Sequence, residues 1–217
     1  MALTLKEQIK TLAYLASKPS LLSAYLSFGY GGYFKETGWE RSFLKMAPVD
    51  KEGRPIPWTT YSYTAFIADR LKNDMTVFEY GSGASTAYYA RKVKNLVTCE
   101  HDKTWFGMMK KNLPENAEIF FADENDYENA ISGRNEKFDI IVVDAIRRVE
   151  CMMKALPYLK ENGILVLDDS EREEYTPGTE YVLRAGYKKI DFWGMAPGQR
   201  YNKCTTVFYK PENCLGI

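Results

Sequence analysis

The sequence has no excess charge of either sign and no long apolar run. Its 217 residues include 29 Lys plus Arg and 29 Asp plus Glu, so no overall field attracts a polyanion. It also lacks an uninterrupted apolar stretch of about 18 residues, the length that a membrane-spanning helix requires. We therefore expect neither nucleic-acid binding nor stable membrane insertion.

Closely spaced cysteine pairs are also missing, and no leader segment is expected. Four cysteines are present, but none forms a Cys-x-x-Cys pattern, which favours a reduced setting. Lys6, Glu7 and Lys10 interrupt the N-terminus where a signal peptide would be apolar. These features predict a cytoplasmic protein.

The segment from Val77 to Thr86 reads Val-Phe-Glu-Tyr-Gly-Ser-Gly-Ala-Ser-Thr. An apolar strand that turns through two glycines into a helix predicts a nucleotide-type site. The third glycine of dinucleotide sites is absent, and Glu79 would repel a phosphate pair. S-adenosylmethionine, which carries an ammonium and no phosphate, fits better. The residues predicted to bind it here are Glu79, Gly81, Ser82, Gly83, Ser85 and Thr86.

The chain divides near residue 60, where its periodicity changes. Residues 1–60 are predicted to form a helical and irregular extension, with helices at 4–17 and 20–28 and an irregular segment at 33–57. A capping box starts the first helix, and its apolar stripe is expected to pack against the protein's own domain. Lying on a membrane is the alternative use of such a stripe.

Residues 61–217 are predicted to form one α/β domain after a helix at 61–72. Strands are expected near 75–80, 96–100, 117–121, 138–143 and 163–168, alternating with helices near 85–94, 103–112, 125–132 and 147–160. This alternation is typical of a parallel sheet with helices on both faces. Two final strands, 187–193 and 203–209, are joined only by a loop and must pair antiparallel.

Acidic residues stand at the strand ends, where an open α/β sheet binds its ligand. Glu100 is predicted to accept hydrogen bonds from a ribose diol, with His101 beside the adenosine. Asp123 is predicted to meet the adenine, or else to cap the next helix. Asp144, after a strand buried on both faces, is expected beside the methyl end of the cofactor.

Asp168 and Asp169 end the fifth strand close to Asp144 in the predicted sheet. The three carboxylates are candidate catalytic groups, to take a proton or to position an acceptor. They are also numerous enough for a divalent cation, but sequence spacing does not show convergence, and no metal is predicted.

Aromatic and basic residues are expected to overhang the strand ends and bind the substrate. They are Trp58, Tyr61, Tyr63, Arg147 and Arg200. Aromatic rings suit a sugar or a flat phenol, and arginine suits an anionic group.

With these motifs the chain resembles the class I S-adenosylmethionine-dependent methyltransferases over residues 61–217. Glu79-Tyr80-Gly81-Ser82-Gly83 resembles the first motif of that family, and Glu100, Asp123 and Asp144 resemble its later acids. The resemblance implies a Rossmann-like seven-stranded, mostly parallel sheet with an antiparallel last strand. It also extends to a bacterial group of small methyltransferases that is associated with cell-surface glycans.

The predicted activity is therefore methyl transfer to oxygen of a small-molecule or glycan acceptor. Two alternatives stay open: an aminopropyltransferase that uses decarboxylated cofactor, and a non-catalytic protein that binds an adenosyl ligand. The oligomeric state is not predicted.

Overall fold

A computed structural model describes residues 3–217 and contains one seven-stranded sheet in the order β3-β2-β1-β4-β5-β7-β6. The strands are β1 (Thr76–Tyr80), β2 (Asn95–Glu100), β3 (Ala117–Phe121), β4 (Phe138–Val143), β5 (Leu159–Asp168), β6 (Lys188–Gly194) and β7 (Lys203–Tyr209). The first five strands pair in parallel, and β7 pairs antiparallel with both β5 and β6. The predicted fold class is confirmed.

The α-helices within residues 3–217 are α1 (Leu5–Ala16), α2 (Pro19–Ser27), α3 (Tyr33–Thr37), α4 (Trp39–Lys45), α5 (Tyr61–Ala68), α6 (Ala84–Ala90), α7 (Lys103–Lys111), α8 (Arg148–Ala155) and α9 (Thr176–Arg184). Helices α5 and α6 contribute to the apolar core on one face of the sheet, and α8 and α9 to the core on the other. Because successive side chains of a strand point to opposite faces, β4 contributes Ile141 to one apolar core and Ile140 to the other. No helix within residues 3–217 is both long and apolar enough to cross a bilayer.

Two predicted helices of the domain differ in the structure. Residues Glu124–Gly133 form 3₁₀ turns rather than an α-helix, because the backbone of Asp126 is non-helical. The helix expected at 147–160 ends at Ala155, and a 3₁₀ turn that contains Pro157 leads into β5. Both changes leave the predicted strands in place.

The irregular segment predicted at 33–57 contains two short helices, α3 and α4. Gly38 joins them with a φ of 77°, and a Cβ there would lie 2.4 Å from the carbonyl carbon of Asp50. Only glycine combines this left-handed backbone with so close a crossing. The turn therefore folds residues 39–57 back toward the sheet.

Helix α1 begins with the predicted capping box, in which the Thr4 hydroxyl accepts a hydrogen bond from the Glu7 amide. The prediction that its apolar stripe packs against the protein's own domain is wrong. Leu5 is 73% exposed, and no residue of α1 is buried. Its neighbour α2 buries none of its own residues either, so the stripe meets no core.

Candidate functional site

A cavity of about 470 Å³ opens where the carboxyl ends of β1 and β4 face the segment before α5. Its volume is in the range of small-molecule sites. The lining includes residues predicted for cofactor and substrate binding, namely Trp58, Glu79, Gly81, Ser82, Gly83, Ser85 and Asp144. The structure thus brings together the glycine turn, one strand-end acid and one aromatic residue of the predicted site.

The turn after β1 depends on Gly81. Its φ is 97°, and a Cβ at this position would lie 2.5 Å from the Asp144 carbonyl oxygen. The backbone amide of Asp144 also donates to the carbonyl of Tyr80. Gly81 therefore lets the turn after β1 lie directly against the end of β4, which sets Glu79 and Asp144 at one cavity.

Glu79 is a buried carboxylate with one unpartnered oxygen. Its Oε2 accepts a hydrogen bond of 2.6 Å from the Thr86 hydroxyl, while Oε1 has no hydrogen-bond partner. Burial raises the pKa of Glu79 from 4.5 to about 8, although the hydroxyls of Ser85 and Thr86 oppose the shift. A cationic donor in the cavity would supply the missing partner and favour the ionised form.

Glu100 at the end of β2 holds the glycine turn. Its Oε2 accepts from the Ser82 amide and, at 2.9 Å, from the Ser82 hydroxyl. Its Oε1 accepts from the amides of His101 and Asp102. Glu100 therefore positions the glycine turn that lines the cavity. A ribose diol would share the carboxylate with Ser82, and this ribose contact stays a prediction.

The other predicted cofactor residues lie further from the cavity. Thr86 is fully buried and its hydroxyl donates to Glu79, so it positions that carboxylate, and its own contact with the cofactor stays a prediction. Asp123 accepts from the Asn125 amide and caps the 3₁₀ segment, as the alternative interpretation allowed. His101 Nδ1 lies 3.1 Å from Glu100 Oε1. Adenine contacts by Asp123 and His101 stay predictions.

Asp144 is the member of the predicted catalytic trio that lines the cavity. Its Oδ1 lies 2.9 Å from an Arg148 guanidinium nitrogen, and its side chain is 27% exposed. Burial raises the pKa of Asp144 even though Arg148 opposes the shift. A carboxylate with a raised pKa at a cavity wall is suited to accept a proton.

Asp168 is buried, and both of its carboxylate oxygens are occupied. Lys203 Nζ donates to Oδ2 at 2.5 Å, and the Thr205 hydroxyl donates to Oδ1 at 2.7 Å. Burial and nearby Asp144 raise the pKa of Asp168, and Lys203 opposes them. Both oxygens of Asp168 thus already accept hydrogen bonds inside the fold, and its catalytic role stays a prediction.

Asp169 has a left-handed backbone with a φ of 53° and points into a cluster of cations. Its carboxylate lies 2.6 Å from Lys203 Nζ and 2.7 Å from Arg172. Burial raises its pKa, but Lys203 and the nearby arginines outweigh this and hold the pKa below its usual range. Asp169 is consequently a weaker base than Asp144.

The predicted substrate residues have separate locations. Trp58 lines the cavity, and its indole donates to the Pro197 carbonyl at 2.8 Å. Tyr63 is fully buried in the core with its hydroxyl 2.9 Å from that of Tyr89, and its substrate contact stays a prediction. Tyr61 packs edge-on to Tyr33 at a surface depression on the other side of α5.

The two predicted arginines are engaged elsewhere. Arg147 pairs with Glu128 and donates to the Asn125 carbonyl, and Arg200 lies over the Phe43 ring. Neither belongs to the cavity lining, so substrate binding by these residues stays a prediction.

Sequence reasoning missed the apolar wall of the cavity. This wall comprises Met46, Ala47, Pro48, Val49 and Pro55 from the segment before α5, and Trp105 and Met109 from α7. Trp105 could have been inferred from its position in the first turn of the helix after Glu100, and it donates to the Ser82 carbonyl at 2.8 Å. The buried cations Arg148 and Lys203 had no comparable signal.

The sequence matches no protein-family model and no curated protein. Solved structures are similar in fold. A precorrin-6y C5,15-methyltransferase from Geobacter metallireducens is 15% identical with a TM-score of 0.55, over 67% of this chain and 86% of that one. An O-methyltransferase from Bacillus cereus in complex with S-adenosylhomocysteine is 17% identical with a TM-score of 0.56, over 67% and 78%.

A spermidine synthase from Thermotoga maritima also has this fold, with 15% identity and a TM-score of 0.53 over 67% of this chain and 56% of that one. At identities this low, the structural similarity shows a Rossmann-like methyltransferase fold and nothing further. Because one fold hosts several activities, the function is argued from the site.

Proposed function

We propose that this chain is an S-adenosylmethionine-dependent methyltransferase that acts on an oxygen of a small-molecule or glycan acceptor. The observation that carries the proposal is the pairing, in one cavity, of a buried carboxylate with an unpartnered oxygen, Glu79, and a second carboxylate with a raised pKa, Asp144. Fold neighbours that are methyltransferases support it.

The donor set fits the cofactor. The unpartnered Oε1 of Glu79 suits its ammonium group, and the turn from Gly81 to Gly83 offers backbone close to the cavity without intervening side-chain carbons. Glu100 would hold the ribose with Ser82, and Asp123 and His101 would border the adenine. When bound, S-adenosylmethionine supplies an electrophilic methyl group on a sulfonium that leaves as a neutral thioether.

The chain itself has to orient the acceptor, exclude water and remove a proton. Asp144 would accept the proton of the acceptor hydroxyl, and Arg148 orients the Asp144 carboxylate. Asp168 and Asp169 hold the surrounding cations in place.

The acceptor would lie against Trp58 and against Met46 and Pro48 of the apolar wall. We propose that residues 61–217 bind the cofactor and that residues 1–60 contribute this acceptor-binding part of the cavity. A ring with an apolar face and a hydroxyl edge, such as a phenol or a sugar, suits that surface. The free, buried cysteines support a cytoplasmic location.

Calorimetric titration with S-adenosylmethionine, S-adenosylhomocysteine and NAD tests the cofactor assignment. We expect the two adenosyl ligands to bind and NAD not to bind. At pH 7 binding should release a proton from Glu79, so the measured heat depends on the buffer, and Glu79→Gln should remove that dependence. Binding of NAD alone would contradict the proposal.

Transfer is tested by supplying methyl-labelled cofactor with panels of phenols and sugars. Asp144→Asn should abolish labelling while cofactor affinity is retained, because the amide cannot accept the proton. Putrescine with decarboxylated cofactor tests the aminopropyl alternative, which the ion pairs of Asp168 and Asp169 disfavour. Cofactor binding without labelling of any acceptor would support a non-catalytic protein.

A further inference from the structure

Three carboxylates converge beyond the ends of β4 and β5. Oxygen atoms of Asp144, Asp168 and Asp169 all lie within 4.8 Å of one another. Hard divalent cations prefer such a set of oxygen ligands. The distances between these oxygen atoms are therefore short enough for all three to contact one cation.

The Lys203 ammonium lies among these carboxylates. Its Nζ is 2.5 Å from Asp168 Oδ2 and 2.6 Å from Asp169 Oδ1, and it donates to the Trp58 carbonyl at 3.2 Å. An ammonium has three N–H donors, and here three acceptors take them. The Lys203 side chain is 3% exposed, so bulk water does not compete for these contacts.

Arg148 is a second cation that pairs with these carboxylates. It lies 2.9 Å from Asp144 Oδ1 and 3.4 Å from Asp169 Oδ2, and it donates to the Asp168 carbonyl. Arg172 adds a further contact to Asp169. Three negative charges thus face three positive ones, and a divalent ion would enter a cluster whose charge is already balanced.

We infer that Lys203 is the permanent cation of this cluster and occupies the place that a divalent metal would need. A divalent metal does not fit this cluster, because the carboxylates that would bind it are already paired with Lys203, Arg148 and Arg172. The identity of the cation follows from these contacts alone. The further conclusion that the reaction needs no metal rests on the proposed function.

Lys203 does not act as a nucleophile or a base. Burial alone lowers its pKa, but Asp168 and Asp169 outweigh this and raise the pKa above the usual value. Lys203 is instead a positioning residue. By donating to Trp58, which lines the cavity, it connects the apolar wall to the end of β5.

The experiment measures divalent binding directly. Ca²⁺ and Mn²⁺ are titrated calorimetrically into the chelator-stripped full-length protein, into Lys203→Ala and into Lys203→Ala/Asp168→Asn. We expect no saturable binding by the wild type. Removing the ammonium should raise affinity for the ions at least about tenfold, and the double variant, which lacks one carboxylate, should lose that gain.

Saturable wild-type binding that the single variant Asp168→Asn removes would overturn the inference. A folded Lys203→Ala variant that gains no affinity would overturn it as well. If Lys203→Ala does not fold alone, adding Ca²⁺ should restore its cooperative melting, and the wild-type arm decides the question without any variant. All of these readouts are independent of cofactor binding, so they separate this inference from the proposed function.

Discussion

At the scale of single residues, the candidate site depends on groups whose environments differ from those of similar neighbours. Glu79 is buried with one oxygen unpaired, whereas Glu100 has both oxygens bonded to backbone and hydroxyl donors. The two glycines of the motif also differ, because only Gly81 has a left-handed φ. Each difference has a measurable consequence.

Glu79→Gln should make stability less dependent on pH. The folded pKa is about 8 and the unfolded one 4.5, so the folded state holds the Glu79 proton between these values. Stability from this group is therefore full below pH 4.5 and is lost as pH rises through 8. Across that window the wild type should lose on the order of 5 kcal/mol more than the variant.

Denaturant unfolding of both proteins at a series of pH values measures this difference. Glu180→Gln is a suitable control because Glu180 is exposed on the surface of α9. Parallel pH profiles for the wild type and Glu79→Gln would contradict the prediction.

Gly81→Ala should be far more damaging than Gly83→Ala. The new Cβ at residue 81 would lie 2.5 Å from a backbone oxygen and on a left-handed backbone, while at residue 83 the nearest atom is 4.0 Å away. We expect a loss of about 2–3 kcal/mol for the first variant and less than about 1 kcal/mol for the second. Chemical denaturation measures both, and equal losses would show that the close approach of the turn to β4 is not required.

At the scale of elements, α1 contrasts with the strands. Each interior strand is buried on both faces, and β4 has no exposed residue, whereas α1 has no buried one. The energy of folding therefore comes from the sheet and its cores, and α1 contributes little to it.

Deletion of residues 1–18 should leave thermal stability nearly unchanged. Because α1 buries nothing, we expect the melting temperature to change by less than about 3 °C. Differential scanning calorimetry measures this, with deletion of residues 203–217 as a contrasting control that removes β7 and should prevent folding. A large loss on removing α1 would mean that its apolar stripe is covered in solution.

The sequence was sufficient to predict the strands, because β-branched runs such as 140–143 are typical of buried parallel strands. It also identified the glycine turn and Asp144. It could not predict that Lys203 meets Asp168, since 35 residues separate them and only the insertion of β7 beside β5 brings them together. The sequence also could not predict that the apolar stripe of α1 stays exposed, because a periodic pattern indicates an apolar face but not what packs against it.

At the scale of the whole molecule, the site gathers residues from distant parts of the chain. The Thr60 amide donates to the Thr205 hydroxyl, and Trp39 donates to the Gln199 carbonyl. These contacts fix the segment before α5 against β7 and against the loop between β6 and β7. A ligand bound in the cavity therefore contacts parts of the chain that unfold together.

Ligand binding should accordingly stabilise the protein as a unit. S-adenosylhomocysteine at about 100 times its Kd should add about 2.7 kcal/mol and raise the melting temperature by roughly 5–10 °C. The same concentration of NAD is the control and should give no shift. A thermal-shift series resolves this, and stabilisation by NAD in place of the adenosyl ligand would argue for a different cofactor.

The position of β7 between β5 and β6 has a consequence for biosynthesis. Until residues 203–209 leave the ribosome, β5 is an unpaired edge and Asp168 and Asp169 lack their ammonium partner. The first four strands can therefore assemble before β7 is made, but the two acids at the end of β5 gain their ammonium partner only when β7 inserts beside it.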